Sequence, residues 1–406
     1  MWRLTDEQRA LRDEIREILR TEIRERVRRM EEDCEYPRDL YETMARHRLL
    51  GLGFPERYGG RCKSETSWCA YVEELAKVSG TVSLMAAYVK LVSLPLLLAG
   101  SEEQRERVIP RLLRGEILGS FALSEPNVGS DPGALQTRAE RRGDVWVLNG
   151  AKRFIGNAGL SDVYVVFART GSAGPRGVSA FLVDGDSPGL SNEQLRTMGM
   201  PGWQLGAPRF EDVEVPAENL IGREGDGFKI AMATFDRSRP TVAAQAVGLG
   251  QGAIDLAVDY ALRRKAFGEP LLGHQGIQFK LAQMEADIAA ARALTYQAAT
   301  AVDEEDPQLT KLASMAKLMA SDAAMRVTTE AVQVLGGNGY LKDYPAERMM
   351  RDAKVLQIYE GANEIQRLVI ARGLAKEAQG REPLWPECMP EEATDVASEQ
   401  AVGTLA

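Results

Sequence analysis

Phe121-Ala-Leu-Ser-Glu-Pro-Asn-Val-Gly-Ser-Asp131 sits where the chain changes character, and that change decides the fold. Upstream of it, apolar residues recur at helical spacing. Thr5 followed by Gln8 reads as a capping box, and Leu11, Ile15, Ile18 and Leu19 make one apolar stripe behind it. Further helical patterns cover about 37–50, 64–78, 81–99 and 102–114. Downstream of the stretch the residues turn β-branched and aromatic. Val145 to Leu148 predicts a strand, and Asn149-Gly150 predicts a tight hairpin turn, because both residues tolerate positive φ. Runs at 162–168, 178–183 and 209–215 predict more strands between Gly, Pro and Asp clusters. No long helical pattern interrupts them, so the expected sheet is antiparallel and closes into a barrel or sandwich.

From Phe228 the pattern is helical again, over about 240–264, 275–302, 308–335 and 363–376, with Gly268 and Gly336 where C-terminal caps would fall. The expected divisions are a helical domain at 1–118, a β domain at 119–226 and a helical domain at 227–378. The remainder, 379–406, is rich in Pro, Glu, Ser and Thr without periodicity and predicts a disordered tail. Gly248, Gly250 and Gly252 lie inside a helical pattern, so close helix packing explains them better than a dinucleotide turn, which follows a strand.

Composition removes several function classes. With 406 residues the chain has room for two or three domains. A net charge of −9 argues against nucleic acid as a partner. Cys34, Cys62, Cys69 and Cys388 form no CxxC pair, which points to a reducing compartment. His47 and His274 are the only histidines, so neither a zinc site nor Ser-His or Cys-His catalysis is expected. Acid–base work falls to a carboxylate. The charged N-terminus predicts no signal peptide, and the apolar run from Leu91 to Ala99 is too short to span a bilayer. A soluble cytoplasmic protein is the expectation.

Three segments carry chemistry. In the opening stretch Ser124, Ser130 and free backbone N–H groups suit flavin carbonyls or a pyrophosphate, and equally a plain polar turn. In Gln333-Val-Leu-Gly-Gly-Asn-Gly-Tyr340 the glycines mean either a chain reversal or a ligand approaching the backbone. In Arg351-Asp-Ala-Lys-Val-Leu-Gln-Ile-Tyr-Glu-Gly-Ala-Asn-Glu-Ile-Gln-Arg367, Glu360 lies between an apolar stretch and a helix start capped by Asn363. Burial there would raise its pKa, as a general base requires; a surface Glu near a helix N-terminus is the other reading.

Taken together these segments resemble the acyl-CoA dehydrogenase family over about residues 4–378. The first looks like the signature ALTEPxxGSD and the second like QxxGGxGY followed by Arg348 and Asp352. The third looks like the YEG motif, and Arg264-Lys-Ala-Phe-Gly268 resembles RKxFG. The resemblance implies a helical domain, a central antiparallel β-barrel and a four-helix bundle. It implies a homotetramer with FAD across a subunit interface. Phe121, Leu123, Ser124, Ser130, Phe154 and Gly156 would meet the cofactor from one subunit, and Arg264, Phe267, Gln333 and Gly337 from the neighbour. It also implies α,β-desaturation of an acyl-CoA, with electrons passed to an electron-transfer flavoprotein. Glu360 would be the α-proton base and its N–H a donor to the thioester carbonyl. Tyr359, Gly361 and Arg239 would flank the substrate. A carrier-bound acyl desaturase, and a flavin oxidase or monooxygenase on the same fold, are the alternatives.

Departures from the pattern add expectations. One family branch places its base just before the arginine matched by Arg239, where Ser238 stands and cannot serve. In Lys152-Arg-Phe-Ile-Gly-Asn157, Gly156 replaces a Thr or Ser whose hydroxyl bonds the flavin in relatives. Gly156 reads either as a tolerated turn glycine or as a change at the flavin, and on the second reading Gly156→Thr is expected to strengthen the flavin contact and slow reaction of reduced flavin with oxygen. Ser83, Ala87, Lys90 and Leu91 share a helix face that lines the acyl pocket in relatives, and Lys90 there is expected either to receive a polar acyl group or to reach solvent.

Overall fold

The structure, a computed structural model, describes residues 5–61 and 64–379. The tail expected past 379 lies outside these residues. The N-terminal part is helical: α1 (Asp6–Ile18), α2 (Arg24–Asp33), α3 (Arg38–Arg46), α4 (Glu65–Val78), α5 (Gly80–Ala99) and α6 (Glu102–Leu113). The capping box is present, with Thr5 Oγ1 accepting from Gln8 N at 3.2 Å and Gln8 Oε1 accepting from Thr5 N at 3.0 Å. Leu11, Ile15 and Ile18 of the stripe behind it are buried. α5 is mostly apolar, with Lys90 its one charged residue, and lies mostly inside the fold, as a core helix must.

The middle part is one sheet built from β1 (Gly119–Ala122), β2 (Arg138–Arg142), β3 (Val145–Ala151), β4 (Ile155–Gly156), β5 (Val163–Arg169), β6 (Val178–Asp184), β7 (Leu190–Leu195), β8 (Leu205–Pro216) and β9 (Leu220–Ile221). Its order is β4-β8-β3-β2-β5-β6-β9, with β1 on β5 and β7 on β8. The expected antiparallel barrel is not found. The sheet is mixed and does not close: β1 runs parallel to β5, pairing Gly119 with Val163 and Ala122 with Val166. The reason is the route of the chain. β1 enters from the helical part and meets β5 only after a long connection, which permits a parallel pair where a hairpin would not. β5 is buried on both faces: Val163, Val165 and Phe167 join the helical core, and Tyr164, Val166 and Ala168 join the sheet's own core with Trp146, Phe181 and Phe210.

Asn149-Gly150 is not the hairpin turn. Both residues lie inside β3, at a register shift against β8, and Asn149 exchanges hydrogen bonds with Asp212. The β2–β3 turn falls instead at Gly143 and Asp144, where Gly143 takes φ +63°. Side-chain pairing to β8 outweighs the local turn preference, and Gly150 absorbs the bulge.

The C-terminal part holds α7 (Gly227–Arg263), the short hairpin β10 (Lys265–Ala266) and β11 (Glu269–Pro270), α8 (Gln275–Asp303), α9 (Leu309–Leu335), α10 (Ala346–Leu356) and α11 (Asn363–Gln379). α7, α8 and α9 pack together, α4 lies against α7 and α8, and α10 and α11 lie on α9. Gly336 ends α9 with φ +60°, as expected of a C-terminal cap. Gly268 does not cap α7; it sits with Phe267 in the β10–β11 turn, both at positive φ. The α7 glycines pack closely against neighbours. A Cβ at Gly248 would lie 2.2 Å from Glu73 O and one at Gly252 2.3 Å from Lys77 O, both on α4, while one at Gly250 would meet Ile288 of α8 at 2.4 Å.

Because the first obstacle at position 248 is backbone, Gly248→Ala must push α4 from α7. It is expected to cost about 1–3 kcal/mol, seen as a lower unfolding midpoint. An unchanged midpoint would mean that α4 is free to move.

Candidate active site

Glu360 lies in the turn between α10 and α11 and takes φ +52°, followed by Gly361 at φ +94°. A left-handed non-glycine residue costs about 1–3 kcal/mol and persists only where its surroundings hold it. Here they do. Gln366 Nε2 donates to Gly361 O at 2.8 Å and to Glu360 O at 3.3 Å, and Arg239 Nε donates to Glu360 O at 3.4 Å. Lys317 Nζ of α9 donates to Gly361 O at 2.9 Å and to Asn363 Oδ1 at 2.8 Å. Asn363 does not cap α11 as expected. Ala362 supplies the capping carbonyl, and the Asn363 side chain spans to Ser321 and Asp322 of α9.

The Glu360 carboxylate accepts a hydrogen bond from the Ser238 hydroxyl of α7. Burial pushes this carboxyl up to about 7, against the Ser238 hydroxyl and the positive charges of Arg239 and Lys317, which favour the ionised form. Burial likewise drives Lys317 down to about 7, with Glu360 opposing. Arg239 is 5 % exposed, and burial lowers its pKa; its Nη1 pairs with Asp236 at 2.9 Å and reaches Ser314 Oγ at 3.3 Å. Among the described residues the Glu360 N–H has no acceptor. The turn thus presents a partly neutralised carboxylate and an unused N–H donor from one residue. Ser238, set aside at the sequence level, and Lys317, not noticed there, touch this turn directly. Neither has a motif to mark it, since their partners are over 40 positions away in the chain.

Tyr359 donates its hydroxyl to Gln245 Oε1 of α7, and Gln245 Nε2 donates to Ser83 Oγ at 2.8 Å and Gly80 O at 3.0 Å. Ser83 is fully buried in this chain of bonds, which ties α5 to the Glu360 turn. Ala87 and Tyr88 are partly buried beside it, and Leu91 is buried. Lys90 does not fit either expectation. It is 5 % exposed and its amine pairs with Glu65 of α4, lying 5.1 Å over the Trp68 ring. Glu65 also accepts from Thr241 at 3.2 Å, and Thr241 accepts from Trp68 Nε1 at 3.0 Å. A lysine inside an apolar helix pairs with the buried carboxylate it can reach, because an unpaired charge there is far costlier.

The residues expected at FAD present a matching donor set. Phe121 and Leu123 are buried at the sheet edge, and Phe121 rests on Phe167 and on Phe235 of α7. Lys152 fixes the following turn: its buried amine donates to Leu123 O at 3.0 Å and to Glu125 at 2.8 Å, while Glu125 accepts from Gln136 N and Thr137 N. The hydroxyls of Ser124 and Ser130 carry no hydrogen bond among the described residues. Phe154 stands 59 % exposed at φ +61°. In the C-terminal part Phe267 is 98 % exposed, Arg264 and Gln333 are exposed, and a Cβ at Gly336 or Gly337 would meet nothing within 4 Å. Unused hydroxyls, an exposed guanidinium and uncovered aromatic faces suit a flavin dinucleotide. Gly156 departs from expectation. A Cβ there would lie 2.5 Å from Trp203 and 2.7 Å from the Tyr88 ring, so a threonine has no room and cannot simply strengthen a flavin contact.

Comparison with known proteins matches three family models in chain order. They are the acyl-CoA dehydrogenase N-terminal domain over residues 5–116, middle domain over 120–213 and C-terminal domain over 225–375. An acyl-CoA dehydrogenase of Bacillus subtilis is 44% identical over 374 residues, covering 91% of this chain and 98% of that protein. The solved butyryl-CoA dehydrogenase of Megasphaera elsdenii superposes with a TM-score of 0.89 at 41% identity, covering 92% of this chain and all of that one (100%). A glutaryl-CoA dehydrogenase of Mycobacterium smegmatis, solved in complex with FADH2, gives 0.86 at 27% identity over 93% of this chain and 97% of that one.

Two outcomes follow from the hydrogen-bond geometry. Removing the donor to the carboxylate, Ser238→Ala, favours the protonated form of Glu360, so the acidic limb of the kcat/KM–pH profile should move to higher pH by about one unit. A limb that stays in place would remove Ser238 from the site. Lys90→Met strands the Glu65 carboxylate. It should lower the unfolding free energy by about 3 kcal/mol or more while leaving relative kcat/KM values across acyl chains unchanged; altered selectivity would restore a substrate role.

Proposed function

The chain belongs to the acyl-CoA dehydrogenase family, and on that premise we propose that Glu360 is the base that removes the substrate's α-proton. The protein is an oxidoreductase that converts an acyl-CoA to the trans-2-enoyl-CoA with FAD as cofactor. When bound, FAD supplies the acceptor for the hydride leaving the β-carbon. The chain's own residues deal with the α-proton. An α-C–H is a very weak acid until its thioester carbonyl is polarised, and the unused N–H of Glu360 is the donor available for that task. A carboxyl near pH 7 is basic enough to take the proton and is still substantially ionised at neutral pH. Ser238 holds the carboxylate, and Arg239, Lys317 and Gln366 hold the turn that carries it.

Phe121, Leu123, Ser124, Ser130 and Phe154 are proposed to hold FAD from one subunit. Arg264, Phe267, Gln333 and Gly337 would hold it from the neighbour in a homotetramer. The exposure of all four of the latter in the isolated chain supports this. An electron-transfer flavoprotein is the proposed acceptor of the electrons, in the cytoplasm. A CoA thioester is favoured over a carrier-bound acyl group or oxygen chemistry, because the base is intact and similar proteins are CoA-ester dehydrogenases.

The observation that carries the reading is the half-buried Glu360, its carboxyl raised to about 7 beside its own free N–H. Anaerobic titration with a panel of acyl-CoAs should bleach the flavin with one chain class. Glu360→Gln should keep FAD yet slow that bleaching by about 10²–10⁴-fold. Bleaching at the wild-type rate would assign the base elsewhere.

A further inference from the structure

Tyr88 of α5 occupies the space that the glycine at 156 leaves open. Its ring lies where a Cβ at 156 would be, at 2.7 Å, and is held edge-on by Trp203 with ring centroids 5.0 Å apart. Trp203 in turn contacts Tyr36, its loop being pinned where Thr81 donates to Pro201 O at 2.9 Å and Met200 N donates to Asp352. The Tyr88 oxygen accepts from Gly156 N at 3.0 Å and from Phe121 N at 3.4 Å, so it bridges β4 and β1. Both N–H groups belong to the segments that line the proposed cofactor face, and both are spent on the phenol. Among the described residues the phenol's own proton has no acceptor.

A half-buried hydroxyl whose two accepting positions are filled and whose proton is unused is a donor open to an acceptor. Burial raises the phenol's pKa, and the nearby Glu360 charge raises it further, so it stays protonated across the working pH range. The helix that carries the phenol is also the one that Ser83 and Gln245 tie to Tyr359, the residue before the proposed catalytic carboxylate. Oxidised isoalloxazine offers carbonyl oxygens and ring nitrogens and so needs donors. We infer that the Tyr88 hydroxyl donates a hydrogen bond to the isoalloxazine ring of bound FAD, and that Gly156 is glycine because the Tyr88 and Trp203 rings fill the space beside it. Tyr88 is then a positioning residue for the cofactor. This rests on the FAD reading of the preceding subsection.

The test uses substrate-free holoenzyme, so that a thioester carbonyl cannot be the acceptor. Tyr88→Phe keeps the ring against Trp203 and deletes the donor. It should weaken FAD binding about fivefold, the size of one net hydrogen bond, and displace the visible flavin band. Replacing Tyr88 with 3,5-difluorotyrosine keeps the oxygen on both N–H groups and strengthens the donor. It should displace the band in the opposite direction without weakening FAD, and it decides the matter alone if the Phe variant does not fold. Loss of stability by itself would not move the band. Wild-type FAD affinity and an unmoved band in both variants would overturn the inference. A wild-type protein that binds no FAD would instead overturn the reading beneath it.

Discussion

Taking the Glu360 carboxylate out of water is the cost around which the rest of the site is organised. An isolated carboxylate in an apolar cleft would simply protonate. Here α7 contributes Ser238 and Arg239, α9 contributes Lys317, and α11 contributes Gln366, all within hydrogen-bond range of one two-residue turn. Burial raises the carboxyl, and Ser238, Arg239 and Lys317 hold the rise to about 7. The left-handed backbone at Glu360 and Gly361 is affordable because those same groups fix both carbonyls of the turn.

That turn requires α7, α9 and α11 to keep their relative positions, and the structure secures them by close packing and buried charge. Glycines on α7 bring it to the backbone of α4 and to the Ile288 side chain of α8. Lys90 and Glu65 join α5 to α4, and Gln245 joins α5 to Tyr359. On the sheet side Lys152 and Glu125 fix the turn beside the proposed flavin face. Buried ion pairs of this kind add little net stability but make alternative packings costly, since each would strand a charge. They specify the geometry in which α5 is joined both to Tyr359, beside the carboxylate, and to the sheet edge.

The helix–sheet–helix order was legible because it rests on local periodicity. So were the capping box at Thr5, the cap at Gly336 and the meaning of the α7 glycines, each decided by neighbours in sequence or by a residue type with one strong use. The misreadings share a cause. Asn149-Gly150 has turn chemistry, yet Asp212 draws Asn149 into the ladder. Asn363 stands at a helix start, yet α9 offers its side chain better partners. The sheet was expected to close, yet β1 arrives from another part of the chain. In each case a contact distant in sequence outweighed a local preference.

The sequence by itself determined the order of elements, and its motifs, spaced as in a known family, determined the reaction and drew attention to Glu360. Those features depend on short runs whose chemistry does not change with the fold around them. Only the tertiary structure decided what surrounds that carboxylate. Ser238 and Lys317 sit unmarked on long helices. Lys90 has Glu65 as its partner from 25 positions away, and Gly156 has its space filled by Tyr88 from 68 positions away. A hydroxyl, an amine or a missing side chain has no defined role until folding supplies its neighbours, because hydrogen bonds and desolvation act over a few ångströms of space, whatever the separation along the chain.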